Sequence, residues 1–213
     1  MNLSKLFSRC VTHSYIHTSS HADFAMDRIG GRLYLFFQDS EGAVDWMRNL
    51  DFLPASDAKR DGQVLYYHRG FLRVWQSLAD RLTPEILDRE VSEIITVGYS
   101  HGAALALLCH ETAWRLRPDL RQRNTGYGFG CPRVVWGNVT EEVACRWKNF
   151  TVIRNREDIV THIPPRFLGY THVGSLLEIG ERGKYTPIDA HRPKNIAREL
   201  LLYEMGKGFP AEK

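Results

Sequence analysis

Cysteine is scarce in this chain, and nowhere is it paired. The four residues Cys10, Cys109, Cys131 and Cys145 leave no two at the short spacing that a zinc or iron–sulfur site requires. They read as free thiols, Cys109 inside an apolar helix, and that usage points to a reducing, cytoplasmic compartment. No apolar run reaches the length of a bilayer span. Met1–Tyr15 carries Lys5 and Arg9 but no leader-like apolar core. Strong charge of one sign is also missing: the formal net charge is +3 over 213 residues. Nucleic acid is therefore not an expected partner, and Arg115, Arg117, Arg121 and Arg123 read as the solvated end of a helix. Repeats, low-complexity tracts and long linkers are absent too.

What the chain does have is an ordinary globular composition, 43% hydrophobic and 25% charged, long enough for one sizeable core. Strand-like apolar runs occupy 32–37, 63–67, 93–97, 124–129, 149–153 and 175–179. Helical patterns cover 70–81, 84–88, 101–116, 138–147 and 193–205, with Thr83 before Pro84 resembling an N-cap followed by proline at the first helical position. This alternation predicts an α/β fold: a mostly parallel central sheet with helices on both faces, in one domain over 1–213. The segment 1–25 lies outside the clearest motifs.

One stretch carries chemistry. Ile94–Val97 is a buried-strand pattern, Gly98-Tyr99-Ser100-His101-Gly102 follows, and an Ala/Leu-rich helix begins at once. Gly-x-Ser-x-Gly between strand and helix is the nucleophile-elbow pattern, in which glycines two residues either side let the chain turn sharply and push the serine hydroxyl out. A serine is a weak nucleophile without a base, and the base needs a carboxylate to orient it. Of the nine histidines, His13, His17 and His21 fall in a polar N-terminal stretch and read as surface residues. His101 adjoins the serine and offers its backbone amide, and His110 rides two turns along the same helix. His68, His162, His172 and His191 remain. Because such triads run serine, acid, histidine along the chain, an acid after a strand is sought next. Asp158, followed by Ile159 and Val160, should face inward, and Glu157 should face water. His172, in the loop Gly169–Gly174, is the expected base.

The same blocks resemble the class 3 lipase family, the fungal-type triacylglycerol lipases. Leu35–Ser40 resembles the family's apolar strand ending in Phe-Arg-Gly-Ser/Thr. Asp45–Leu50 resembles its lid segment, and His68-Arg69-Gly70-Phe71 its His-x-Gly-Phe. Gly128-Phe129-Gly130-Cys131-Pro132-Arg133-Val134, Asn155–Pro165 and Gly169–Gly174 are similar to the three blocks after the nucleophile. The resemblance implies an α/β-hydrolase fold, Ser100, Asp158 and His172 as the triad, and an oxyanion hole from the N–H of His101 with the N–H and hydroxyl of Ser40. It makes His68 a structural support. Gln38-Asp39 stands where the family has Arg-Gly, and a carboxylate there opposes a developing oxyanion. Tyr99 and His101 replace the usual His and Leu, changing the pocket wall.

The reaction this implies is two-step acyl transfer from an ester, with no cofactor and no metal. Between Ser40 and Leu53, Val44, Met47 and Phe52 share a helical face beside Trp46. That stripe is either a lid over the site, with Trp46, Met47 and Tyr99 facing substrate and transient contact with a lipid interface, or permanent core packing. Lipid esters, short-chain esters and a catalytically impaired binding module all stay open from the residues alone.

Overall fold

The structure is a computed structural model that describes residues 2–18, 22–39, 52–57 and 64–207. Its centre is a six-stranded sheet. In chain order its strands are β1 (Ala22–Ile29), β2 (Arg32–Asp39), β5 (Glu93–Tyr99), β6 (Asn124–Phe129), β8 (Phe150–Asn155) and β10 (Ser175–Ile179), which is also their spatial order. β1 pairs antiparallel with β2, and every other pairing is parallel. A smaller antiparallel sheet is built from β3 (Pro54–Ser56), β4 (Tyr66–His68), β7 (Val135–Trp136) and β9 (Tyr170–Thr171).

Strand residues alternate between two cores, as the period of two requires. On β2, Leu33, Leu35 and Phe37 pack on one face with α2 (Arg69–Leu87) and α3 (His101–Leu116). Tyr34 and Phe36 pack on the other with α1 (Leu3–Thr12) and α6 (Pro193–Leu202). Burial on both faces is why the parallel strands read as continuous apolar runs. α3 is buried over its first thirteen residues, His101 to Ala113, and spans the residues its Ala/Leu composition predicted.

Three local expectations need correction. The helices expected over 70–81 and 84–88 are one helix, α2, with Pro84 inside it and His68 as N-cap, its side chain accepting from Phe71 N. The apolar stripe Phe71, Trp75, Leu78, Leu82, Ile86 runs straight through. Burying Leu82 and Ile86 contributes about 1.5–3 kcal/mol each, enough to offset the roughly 3 kcal/mol cost of an internal proline. Helix 138–147 reduces to α4 (Glu141–Ala144), capped by Thr140, followed by a 3₁₀ turn. The N-terminal stretch is not a polar surface tail. α1 buries Leu6, Phe7 and Cys10, and β1 forms a hairpin with β2 through Gly30-Gly31, both at positive φ. That two-glycine loop between apolar runs is a recognised hairpin signal. His13, expected at the surface, is partly covered and bonds Asp27, whereas His17 is largely exposed.

Candidate active site

The carboxyl ends of β5, β6 and β8 meet at one edge of the sheet, where reactive groups collect in folds of this kind. Ser100 stands between β5 and α3 with φ 57° and ψ −125°, outside the ordinary regions for a residue with a Cβ. Such a conformation costs of order 1–3 kcal/mol and persists only where the surroundings impose it. They do so here: Ser100 N donates to Phe129 O at 2.9 Å, and the flanking glycines have no space for a side chain. A Cβ on Gly98 would lie 2.1 Å from Gly102 O, and one on Gly102 would lie 2.1 Å from Phe37 O. The end of β2 is thus pressed against the first turn of α3, with residue 40 next in the chain.

Asp158 is fully buried. It caps a 3₁₀ turn, Oδ1 accepting from Val160 N at 3.0 Å, and its own N–H donates to Asn155 O. Arg133 fastens the loop that follows, donating to the carbonyls of His162 and Pro164. Glu157 lies apart and accepts from Gly183 N.

The histidine that joins serine and acid is His191. Its Nδ1 lies 2.9 Å from both carboxylate oxygens of Asp158, and its Nε2 lies 2.8 Å from Ser100 Oγ. A carboxylate only accepts, so Nδ1 carries the proton and Nε2 is left to accept from the serine hydroxyl. His191 ends the five-residue α5 (Pro187–His191), capped by Thr186. Asn155 Nδ2 donates to Ala190 O at 2.8 Å. Gly130, at φ 59°, makes the room: a Cβ there would meet His191 Cε1 at 2.7 Å and Asp158 Oδ2 at 2.8 Å.

His172 does not make this bridge. Its Nε2 donates to Thr161 O at 2.8 Å, and its Nδ1 is buried with no partner among the described residues. The reason lies in the topology. His172 precedes β10, whose first residue, Ser175, pairs with Thr151 at the amino end of β8. Only after running through β10 does the chain return to the edge that holds Ser100. Tyr99 also departs from expectation. It is buried among Phe7, Phe129 and Ile153 in the core under His191, rather than lining a pocket wall. His101 opens α3, whose first-turn amides have no intrahelical acceptor. His68 is the cap of α2, a support as expected. Ser40, Trp46 and Met47, and the 40–51 part of the lid stripe, lie outside the described residues.

Burial pushes the imidazoles of His101, His110 and His172 down to about 4. The unfolded chain therefore takes up three protons near pH 6.5 that the native state refuses until about pH 4. Stability from these groups is complete above pH 6.5 and is lost as pH falls, by up to about 4 kcal/mol per unit for three groups. Urea midpoints measured from pH 7 to pH 4 should drop steeply, beginning above the carboxylate range. A flat profile between 6.5 and 5 would contradict this.

The model of the lipase (class 3) family matches residues 34–168, more than half of the chain. The chain belongs to the class 3 lipase family. This class 3 lipase sequence is 29% identical over 147 residues to the lipase of Rhizomucor miehei, covering 67% of this chain and 40% of that one. With the lipase of Rhizopus niveus it shares 27% over 129 residues, 58% of this chain and 31% of the relative. The chain thus spans less than half the length of these relatives. Among solved structures, a triacylglycerol lipase described as having a serine protease triad at its catalytic centre superposes with TM-score 0.70 at 25% identity, covering 79% of this chain and 66% of that one. Lipase II from Rhizopus niveus matches in fold, with TM-score 0.69 at 21% identity over 80% of this chain and 66% of its own. The α/β-hydrolase fold expected from the motif blocks is therefore present. The family match stops at 168, before both His172 and His191, so the identity of the bridging histidine comes from the geometry.

Proposed function

We propose that this class 3 lipase is a serine hydrolase of carboxylic esters, with acylglycerols or related lipid esters as its substrate class. The observation that carries the proposal is the unbroken line Ser100 Oγ, His191 imidazole, Asp158 carboxylate. Ser100 Oγ bonds to the ester carbonyl carbon while His191 Nε2 takes the hydroxyl proton. Collapse breaks the carbon–oxygen bond to the alcohol, which leaves with that proton. Water then attacks the acyl-serine, again giving its proton to Nε2, and the acid departs as Ser100 is reprotonated. Asp158 holds the Nδ1–H tautomer and stabilises the imidazolium. The backbone N–H of His101 and the Ser40 donors are assigned to the oxyanion, where losing one donor typically costs on the order of a hundredfold in rate.

Lipid esters are favoured over short soluble esters because the relatives are named lipases. Turnover of p-nitrophenyl acetate, butyrate and palmitate and of emulsified triacylglycerol tests both levels. The expected result is hydrolysis by the wild type, rising with chain length and with an interface, and none by Ser100→Ala. No hydrolysis of any ester by folded wild type would overturn the function. Activity on acetate alone would overturn the substrate class.

A further inference from the structure

We propose that Tyr99 is a positioning residue for His191, an inference that rests on the triad reading above. Tyr99 is the last residue of β5, bonded directly to Ser100. Its hydroxyl donates to His191 O at 2.8 Å, and its ring lies nearly parallel to the imidazole, 20° between planes with centroids 5.1 Å apart. One side chain therefore grips both the backbone and the ring of the histidine, and it is anchored next to the atom that the histidine must reach. Ser100 and His191 are 91 residues apart in sequence, and Tyr99 closes that gap through a single side chain.

α5 needs such a hold. A helix of five residues cannot sustain itself, because nucleation costs more than one turn of hydrogen bonds returns. Its last two carbonyls are held by side chains from the ends of two strands, Ala190 O by Asn155 and His191 O by Tyr99. Tyr99 is itself backed by the N-terminal helix. Phe7 of α1 meets its ring edge-on at 5.7 Å and 80°, and packs on Phe129 at 4.8 Å, the residue whose carbonyl fixes Ser100 N. α1 lies outside the residues that match the family.

Tyr99→Phe keeps the ring and deletes the hydroxyl. A misplaced base slows proton transfer without touching substrate binding, so kcat should fall about tenfold to a hundredfold with KM within twofold. A second readout needs no turnover: the downfield NMR resonance of the His191 Nδ1 proton should broaden or exchange faster. Loss of kcat together with that broadening supports the proposal. Unchanged kcat with an unchanged resonance overturns it, as does a rise in KM with the resonance intact. Should wild type prove inactive on every ester while Tyr99→Phe still loses the resonance, the positioning role stands and the hydrolytic reading falls. If Tyr99→Phe does not fold, Phe7→Leu, which leaves the hydroxyl in place, should broaden the same resonance and lower kcat several-fold; no change in either overturns the proposal.

Discussion

Replacing His191 by alanine should lower kcat on the order of 10⁵-fold, whereas replacing His172 by alanine should leave kcat within a few-fold of wild type. The first loss corresponds to nearly 7 kcal/mol of transition-state stabilisation, the scale seen when the base of a serine triad is removed. It is this large because the three groups act as one unit: without Nε2 the Ser100 hydroxyl keeps its proton and Asp158 has nothing to orient. Among the described residues His172 bonds only Thr161 O. Its removal strands one buried carbonyl, a stability cost of about 1–3 kcal/mol that should appear as a lower melting temperature. Steady-state ester hydrolysis and thermal melts on the two variants separate these effects. Abolished turnover in His172→Ala with turnover retained in His191→Ala would reverse the assignment.

The second large effect belongs to Asp158→Asn, for which kcat should drop about 10⁴-fold with the fold intact. The local hydrogen bonds dictate how. Oδ1 accepts from Val160 N as well as facing His191. An asparagine keeps that bond by presenting its carbonyl to Val160, which turns its NH₂ toward Nδ1. Nδ1 must then accept, the proton moves to Nε2, and Nε2 donates to Ser100 where it should accept. The imidazole stays in place in the wrong tautomer. Circular dichroism should be unchanged while turnover collapses, and unchanged turnover would remove Asp158 from the mechanism.

Much of this was legible in the residues. The elbow was, because Gly98 and Gly102 answer to steric demands that leave a pattern: each faces a carbonyl oxygen 2.1 Å from where a Cβ would sit. Asp158 was, because Ile159 and Val160 after it turn the carboxylate inward. His191 was missed for a specific reason. Order along the chain does not separate it from His172, since both follow Asp158, and glycines beside an imidazole say only that the loop bends. The separating signal was the strand at 175–179. A base must lie at the carboxyl ends of parallel strands, and the chain after that strand comes back to them with His191, while His172 turns its ring onto Thr161 O. Tyr99 illustrates the opposite case. A tyrosine before the nucleophile carries no local sign of facing the core, and its role depends on Phe7 and His191, distant in sequence and brought together only by the fold. The proline inside α2 was misread because Thr83-Pro84, a strong local helix-start signal, was weighed without the apolar stripe that crosses it.

Covalent labelling is the most direct test of a hydroxyl activated by this particular imidazole. Wild type, Ser100→Ala, His191→Ala and His172→Ala would be treated with a fluorophosphonate, followed by intact mass and peptide mapping. The account predicts one adduct, on Ser100, formed quickly in wild type and His172→Ala, barely in His191→Ala, and not at all in Ser100→Ala. Labelling of His191→Ala at the wild-type rate, or an adduct on a different side chain, would contradict it.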